Sequence, residues 1–117
     1  MEYAAIAKHT ISALQQSVPV SMPGVVFLSG GMSEIEASMA LNEINKYDAA
    51  KPWRLTFSYG RALQSSVLAA WKGERANREK AQEALIVRAR ANGQASGGVY
   101  EPESGKSASL HEENYVY

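Results

Sequence analysis

Two short stretches of this sequence combine small residues, glycines and an arginine in a way that suits the binding of a phosphate group. Ser29, Gly30 and Gly31 follow one apolar run, and Gly60 and Arg61 follow a second one. Glycines leave backbone N–H groups uncovered, and such groups beside a helix start bind phosphate or carboxylate. An arginine guanidinium can pair with two phosphate oxygens at once. Each stretch alone could be an ordinary turn or a surface ion pair, but the two together favour an anion site.

The two stretches are predicted to end two strands that a helix connects. The run Val25–Leu28 is continuously apolar, which is typical of a parallel strand covered on both faces. Residues 53–58 combine aromatic and β-branched side chains and predict a second strand. Between them, Ser33 and Glu36 have the spacing of a capping box, and the helix they open closes near residues 45–46. Strands of a βαβ unit are parallel, so both turns are expected on one edge of the sheet.

Three further helices are predicted to flank this unit. The apolar spacing places the first at about 2–17 and the next from Arg61 to about Trp71. The last begins at Asn77, as its N-cap, and stops at Asn92-Gly93. Glycine, serine and glutamate predominate beyond it, so residues 93–117 are predicted to form a flexible tail.

Composition excludes several classes of protein. With 117 residues, of which 45% are hydrophobic and 21% charged, the chain is expected to be one small soluble domain or a piece of a larger one. Lys plus Arg equals Asp plus Glu at 12 each, so no net charge draws the chain to nucleic acid or a membrane. The absence of cysteine excludes disulfides and thiolate chemistry. No apolar run reaches the roughly 20 residues of a membrane span, and no targeting segment is evident, so a cytoplasmic protein is expected.

The same strand ends carry a resemblance to a known family. Four motifs and the final residue resemble the C-terminal third of class I fructose-bisphosphate aldolase: Leu28–Glu34, Lys51–Trp53, Leu55–Gln64, Ala81–Glu83 and Tyr117. The likeness extends over nearly the whole chain. It implies an α/β fold that is the C-terminal part of a TIM (β/α)8 barrel. Residues 1–92 would supply the last two parallel strands with their flanking helices, and residues 93–117 the tail.

The resemblance also implies a function and a set of site residues. The family is a lyase of glycolysis and gluconeogenesis that cleaves fructose 1,6-bisphosphate to dihydroxyacetone phosphate and glyceraldehyde 3-phosphate through a Schiff base, without metal or cofactor. Tyr117, on a tail that folds over the active site, would assist proton exchange on the bound triose, and Ser58 would face the Schiff-base lysine. The family is usually a homotetramer. The C1 phosphate of the substrate would be held by Ser29, Gly30, Gly60 and Arg61.

The groups that perform the family's covalent chemistry are expected to precede Met1. No lysine lies on a predicted strand. His9 and His111 are expected to be exposed to solvent, and so are all six lysines: Lys8, Lys46, Lys51, Lys72, Lys80 and Lys106. A complete barrel needs about 250 residues. The chain is therefore interpreted as a truncated product, a gene-model fragment or a portion that needs a partner, and no cleavage activity is expected from it alone.

Two alternatives stay open at this point. A non-catalytic module could keep the phosphate-binding turns and use the apolar surface of a partial barrel to bind another protein or full-length aldolase subunits. An unrelated small α/β phosphate-binding domain would need more strands than the two predicted. The sequence also leaves open the preference for fructose 1,6-bisphosphate over fructose 1-phosphate, the oligomeric state, and a cytosolic or plastid origin.

Overall fold

The computed structural model describes residues 2–58 and 60–101, apart from the side chain of Arg61. In this part of the chain, helices and strands alternate as the sequence predicts. The elements in chain order are α1 (Tyr3–Ser17), β1 (Gly24–Phe27), α2 (Glu34–Lys46), β2 (Arg54–Phe57), α3 (Arg61–Trp71), a 3-10 turn (Arg75–Asn77) and α4 (Arg78–Ser96).

The two strands pair in parallel and end at the same level. Gly24 lies opposite Arg54, and Phe27 lies opposite Phe57. The Ser58 N–H donates to the Phe27 carbonyl at 2.9 Å, so the pairing continues to the last residue of each strand. The prediction that both following turns leave the same edge of the sheet is confirmed.

The prediction that β1 is covered on both faces is wrong for the part of the chain that the structure describes. Val25 and Phe27 are half-buried against the helices, whereas Val26 is 62% exposed and Leu28 is 81% exposed. Successive side chains of a strand point to opposite faces. The described helices pack on one face of the sheet. On the other face Val26 and Leu28 of β1 are exposed, and Thr56 of β2 bonds through its hydroxyl to Ser96 at the end of α4 at 2.9 Å. We call this second face the open face.

The core lies between the covered face of the sheet and the helices. Phe27 packs against both of its clusters. One cluster joins α1 and α2 to the sheet through Ala7, Ile11, Ile44, Trp53 and Leu55. The other joins α2, α3 and α4 through Ala37, Leu41, Phe57, Ala62, Ala91, Ala95 and Tyr100. The buried alanines of α4 agree with the close helix packing that its composition indicates, because small side chains let helix backbones approach one another.

Helix α4 continues beyond the predicted stop at Asn92-Gly93 and ends at Ser96. Ala95 is fully buried, and Tyr100 is buried with its N–H donating to Asn42 Oδ1 at 2.8 Å. Packing of this segment on α2 outweighs the low helix propensity of a single glycine. The predicted boundary at residue 93 therefore falls inside α4. Residues 102–117 lie outside the described residues, and the flexibility of the tail stays a prediction.

Asn77 occupies the N-cap position of α4, as predicted, but its side chain does not cap that helix. Its Nδ2 donates instead to the Trp71 carbonyl at 3.0 Å, at the end of α3. The side chain thus closes the preceding helix. None of the helices within the described residues is both long enough and apolar enough to cross a bilayer.

Candidate phosphate-binding site

The first turn of the candidate site follows β1. Ser29 is buried, and its carbonyl accepts the Met32 N–H at 3.2 Å, which closes a tight turn. Gly31 has a φ of 83°, a left-handed conformation that glycine adopts at little cost. The chain reverses here and enters α2 at Ser33.

The second turn follows β2 and leads directly into α3. Gly60 is the N-cap residue, and its carbonyl accepts the N–H groups of Leu63 at 3.0 Å and Gln64 at 2.9 Å. The first N–H groups of any α-helix lack intrahelical partners. Gly60 has no side chain to cap them, and the first turn of α3 contains no acidic residue. Helix α3 therefore presents an uncapped, partly positive end at the edge of the sheet.

Helix α2, in contrast, is capped by its own residues. The Ser33 hydroxyl accepts the Glu36 N–H at 3.2 Å, and the Glu36 carboxylate accepts the Ser33 N–H at 2.9 Å, which confirms the predicted capping box. A carboxylate in the first turn also offsets the positive end of the helix. Of the two helices that follow the strands, α3 is the one whose backbone suits an anion.

The glycines of the two turns face open space. A Cβ atom built on Gly30 or on Gly60 would meet no other protein atom within 4 Å. The surrounding protein does not require glycine at these positions. Their small size instead leaves room for another group to approach the backbone. We call residues 29–31 and 60–61 together the rim.

A buried ion pair lies beneath the rim. Arg88 of α4 and Glu34 of α2 are both buried, with 3.5 Å between Arg88 Nε and Glu34 Oε2. Arg88 Nε also donates to the Ala62 carbonyl at 3.0 Å, and its Nη2 donates to the Glu34 carbonyl at 2.8 Å and to Ser38 Oγ at 2.6 Å. One side chain thus bonds to the first turns of both α2 and α3.

Further polar groups complete this network. Glu34 Oε2 accepts the Ser66 N–H at 3.1 Å and the Ser66 hydroxyl at 2.8 Å. Asn92 Nδ2 donates to the Ala62 carbonyl at 3.0 Å, and the Ser38 hydroxyl donates to Asn92 Oδ1 at 2.7 Å. The sequence predicts for Asn92 only the end of the last helix, and for Ser38, Ser66 and Arg88 no role. The only signal available was an arginine among the alanines of α4.

The structure brings most of the predicted site residues to one edge of the sheet. Ser29, Gly30, Gly60 and the backbone of Arg61 all lie there, immediately after the paired strand ends. Ser58 is exposed and, by the alternation of strand residues, belongs to the open face of the sheet. Tyr117 and Lys106 lie outside the described residues.

Neither β1 nor β2 contains a lysine. Lys8, Lys72 and Lys80 are exposed, as expected, and Lys46 forms a surface pair with Glu43 at 3.4 Å. Lys51 is partly buried and donates to the Tyr47 carbonyl. In the described part of the chain, no three His, Asp or Glu side chains cluster as metal ligands would.

Helix α3 is a short extra helix at the end of a barrel-type strand. It packs against α2 and α4, whereas α4 packs against β2. Phosphate sites of TIM barrels frequently combine the loops after the last strands with the N-terminus of such a helix. The two strand ends, the turns that follow them and helix α3 together define part of a β/α barrel with a candidate phosphate site.

Comparison with known proteins assigns this part of a barrel to a family. The family model for fructose-bisphosphate aldolase class-I matches residues 1–117. The chain belongs to the class-I fructose-bisphosphate aldolase family, and the predicted family resemblance is confirmed. The predicted fold class, part of a TIM barrel, is confirmed as well.

Individual relatives show how much of the family's length the chain spans. Fructose-bisphosphate aldolase 4, cytosolic, of Arabidopsis thaliana is 54% identical over 116 residues, which are 96% of this chain and 30% of that protein. The cytoplasmic isozyme of Cicer arietinum is 52% identical over 116 residues, 96% of this chain and 32% of that protein. A solved structure of the Plasmodium falciparum aldolase, in complex with TRAP and a small-molecule inhibitor, is 50% identical with a TM-score of 0.84. The match covers 88% of this chain and 29% of that one, so the chain spans about a third of the length of its relatives.

Proposed function

We propose that this chain forms the phosphate-binding part of a fructose-bisphosphate aldolase active site. The ligands are fructose 1,6-bisphosphate and dihydroxyacetone phosphate, whose C1 phosphate binds to Ser29, Gly30, Gly60 and Arg61. The observation that carries this proposal is the parallel register, which ends both strands at one level beside the uncapped α3. Phosphate binding at that edge is a common use of the barrel fold.

Each rim residue has a distinct part in holding the phosphate. The N–H groups of Gly30 and Gly60 donate to phosphate oxygens without side chains in the way, and the Ser29 hydroxyl adds a neutral donor. The Arg61 guanidinium supplies the positive charge and two parallel bonds. Hydrogen bonds to charged groups contribute about 1.5–3 kcal/mol each. The end of α3 adds roughly 0.3–1 kcal/mol through its dipole.

The covalent chemistry needs residues beyond those described. In our proposal the Schiff-base lysine lies on a barrel strand other than β1 and β2, Ser58 faces it from the open side of the sheet, and Tyr117 exchanges the proton on the bound triose. The 117-residue chain alone then binds phosphate esters without cleaving them. A cytoplasmic location is proposed because relatives carry the words cytosolic and cytoplasmic in their names.

Binding and cleavage can be tested separately on the purified chain. Titration with inorganic phosphate and with dihydroxyacetone phosphate, followed in 15N–1H spectra, should shift the amide signals of Ser29, Gly30 and Gly60. Arg61→Gln should weaken binding at least tenfold, because it removes charged contacts of about 1.5–3 kcal/mol each and about 1.4 kcal/mol is a factor of ten. Arg54→Gln, on the exposed start of β2, is the matched control. Unmoved rim signals would refute the phosphate site. Turnover of fructose 1,6-bisphosphate, with borohydride trapping of substrate on a lysine, would refute the proposed inactivity.

A second candidate function is supported by the open face of the sheet. Val26 and Leu28 are large apolar residues of which more than half is exposed, and in a closed barrel such a face is interior. The alternative is a non-catalytic module that binds another protein, or aldolase subunits, through this face. Co-purification of a stoichiometric partner from the source would support it. A soluble monomer by native mass spectrometry at micromolar concentration would count against it.

A further inference from the structure

We infer that Arg88 and Glu34 are positioning residues that set the distance between the two turns of the rim. This inference rests on the proposed function, since it concerns how the same site is held in shape. Neither residue belongs to the rim, and both act through the backbone of α2 and α3. Through this buried pair, phosphate binding at the rim depends on α4, a helix that contributes no residue to the rim.

Arg88 donates hydrogen bonds to backbone carbonyls that lie next to the two turns of the rim. The Ala62 carbonyl, 3.0 Å from Arg88 Nε, belongs to the residue next to Arg61. The Glu34 carbonyl, 2.8 Å from Arg88 Nη2, lies three residues beyond Gly31. Because the guanidinium is planar and its donors are fixed relative to one another, the two carbonyls are held at one separation. The turns that precede them are held with them.

Glu34 adds a second connection between the same two helices. Its Oε2 accepts both the N–H and the hydroxyl of Ser66, at 3.1 and 2.8 Å, one helical turn beyond Ala62. Helix α3 is thereby fixed at two successive turns, so it can neither slide nor rotate relative to α2. These two bonds connect α3 directly to α2, in addition to the guanidinium contacts.

The chemistry of an ion pair also suits a positioning role better than a role in stabilising the fold. A buried ion pair often stabilises a fold no more than apolar residues of similar volume would. Apolar residues, however, cannot hold two carbonyl groups at a fixed separation. The other ion pair found among the described residues, Lys46 with Glu43, lies on the surface one turn apart on a single helix and joins no two elements.

The test compares phosphate binding in the 117-residue chain and in variants of the pair. Glu34→Gln keeps the shape and an acceptor for Ser66 but removes the charge, and Arg88→Lys keeps the charge but has a single nitrogen for two carbonyls. Each should raise the dissociation constant for inorganic phosphate about tenfold. Glu43→Gln, which breaks the surface pair, is the control and should leave it within twofold. Variants that stay folded and bind phosphate as the wild type does would overturn the inference.

A second measurement separates this inference from the proposed function. Hydrogen exchange of the hydrogen-bonded amides of Leu63, Gln64 and Ser66 reports the order of α3 without any ligand. Faster exchange at these amides in Glu34→Gln, with unchanged exchange in α1, supports the positioning role, and unchanged exchange overturns it. If the wild type does not bind phosphate, the proposed function fails, and the exchange data still decide whether the pair orders the rim.

Ser66→Ala supplies a milder variant for the case in which the charge variants do not fold. It removes one hydroxyl donor to Glu34 and leaves the ion pair intact. The expected result is a two- to threefold weaker affinity for inorganic phosphate, together with faster exchange at the Ser66 amide. Affinity and exchange equal to those of the wild type would overturn the inference.

Discussion

Breaking the buried pair between Arg88 and Glu34 should cost far more free energy of unfolding than breaking a surface pair. In Arg88→Met, the Ala62 carbonyl keeps the Asn92 amide as a donor, and the Ser38 hydroxyl still donates to Asn92. The Glu34 carboxylate, however, stays buried with no positive partner in the network described. Removal of one partner from a buried pair costs about 3–5 kcal/mol. That is a large fraction of the roughly 5–15 kcal/mol that stabilises a typical domain.

The assay is a double-mutant cycle by urea unfolding, followed by circular dichroism. With a slope of about 1.5 kcal/mol per molar urea, Arg88→Met should lower the midpoint by roughly 2–3 M. Glu34→Gln combined with Arg88→Met should be less destabilising than the sum of the two single changes by about 1–3 kcal/mol, because no buried charge is left unpaired. Glu43→Gln with Lys46→Met repeats the cycle on a surface pair, in which the side chain of Glu43 is 35% exposed and that of Lys46 is 53% exposed; the coupling energy there should be below about 0.5 kcal/mol. Equal coupling energies in the two cycles would refute this reasoning.

Three further predictions concern the core, two glycines and the stability of the fold at alkaline pH. Leu41→Ala should lower the free energy of unfolding by about 2–5 kcal/mol, because Leu41 is fully buried; Leu85→Ala, on a 40% exposed residue, should cost less than about 1 kcal/mol in the same urea titration. Gly98→Ala should lower the free energy of unfolding by about 1–2 kcal/mol, because the φ of Gly98 is +72° and a Cβ would lie 3.3 Å from the Asn45 carbonyl carbon. Gly93→Ala, inside α4, should raise the free energy of unfolding by about 0.5–1 kcal/mol and the thermal midpoint with it. Burial raises the pKa of Tyr3, and the Glu36 carboxylate raises it further. The protonated Tyr3 hydroxyl therefore contributes its full stabilisation below the usual tyrosine pKa of about 10, and this stabilisation is lost as the pH rises through the pKa that Tyr3 has in the folded chain. Tyr3→Phe should therefore flatten the decline of the urea midpoint above pH 10, and an unchanged decline would contradict the prediction.

The sequence alone determined the elements whose signals are local. Ser33 and Glu36 lie three residues apart and open α2 as predicted, because a capping box is formed entirely within one helical turn. The two strands and their parallel pairing also follow from short-range patterns, since a helix between two strands restricts how they can pair. The glycine turns of the candidate site could be located for the same reason, and with them the family resemblance.

Tertiary structure decided what depends on contacts between distant residues. Asn92 and Gly93 form a local stop signal, yet α4 continues to Ser96 because Asn92 and Ala95 are buried against α2 and α3. The continuous apolar run of β1 is typical of a strand covered on both faces, yet Val26 and Leu28 are exposed, because the coverage of a strand depends on which elements pack on it. Arg88 and Glu34 are separated by 54 positions in the chain and meet only after α4 crosses the starts of α2 and α3. No local pattern specifies such a pair, because its energy arises from burial and distance, and both are properties of the folded chain.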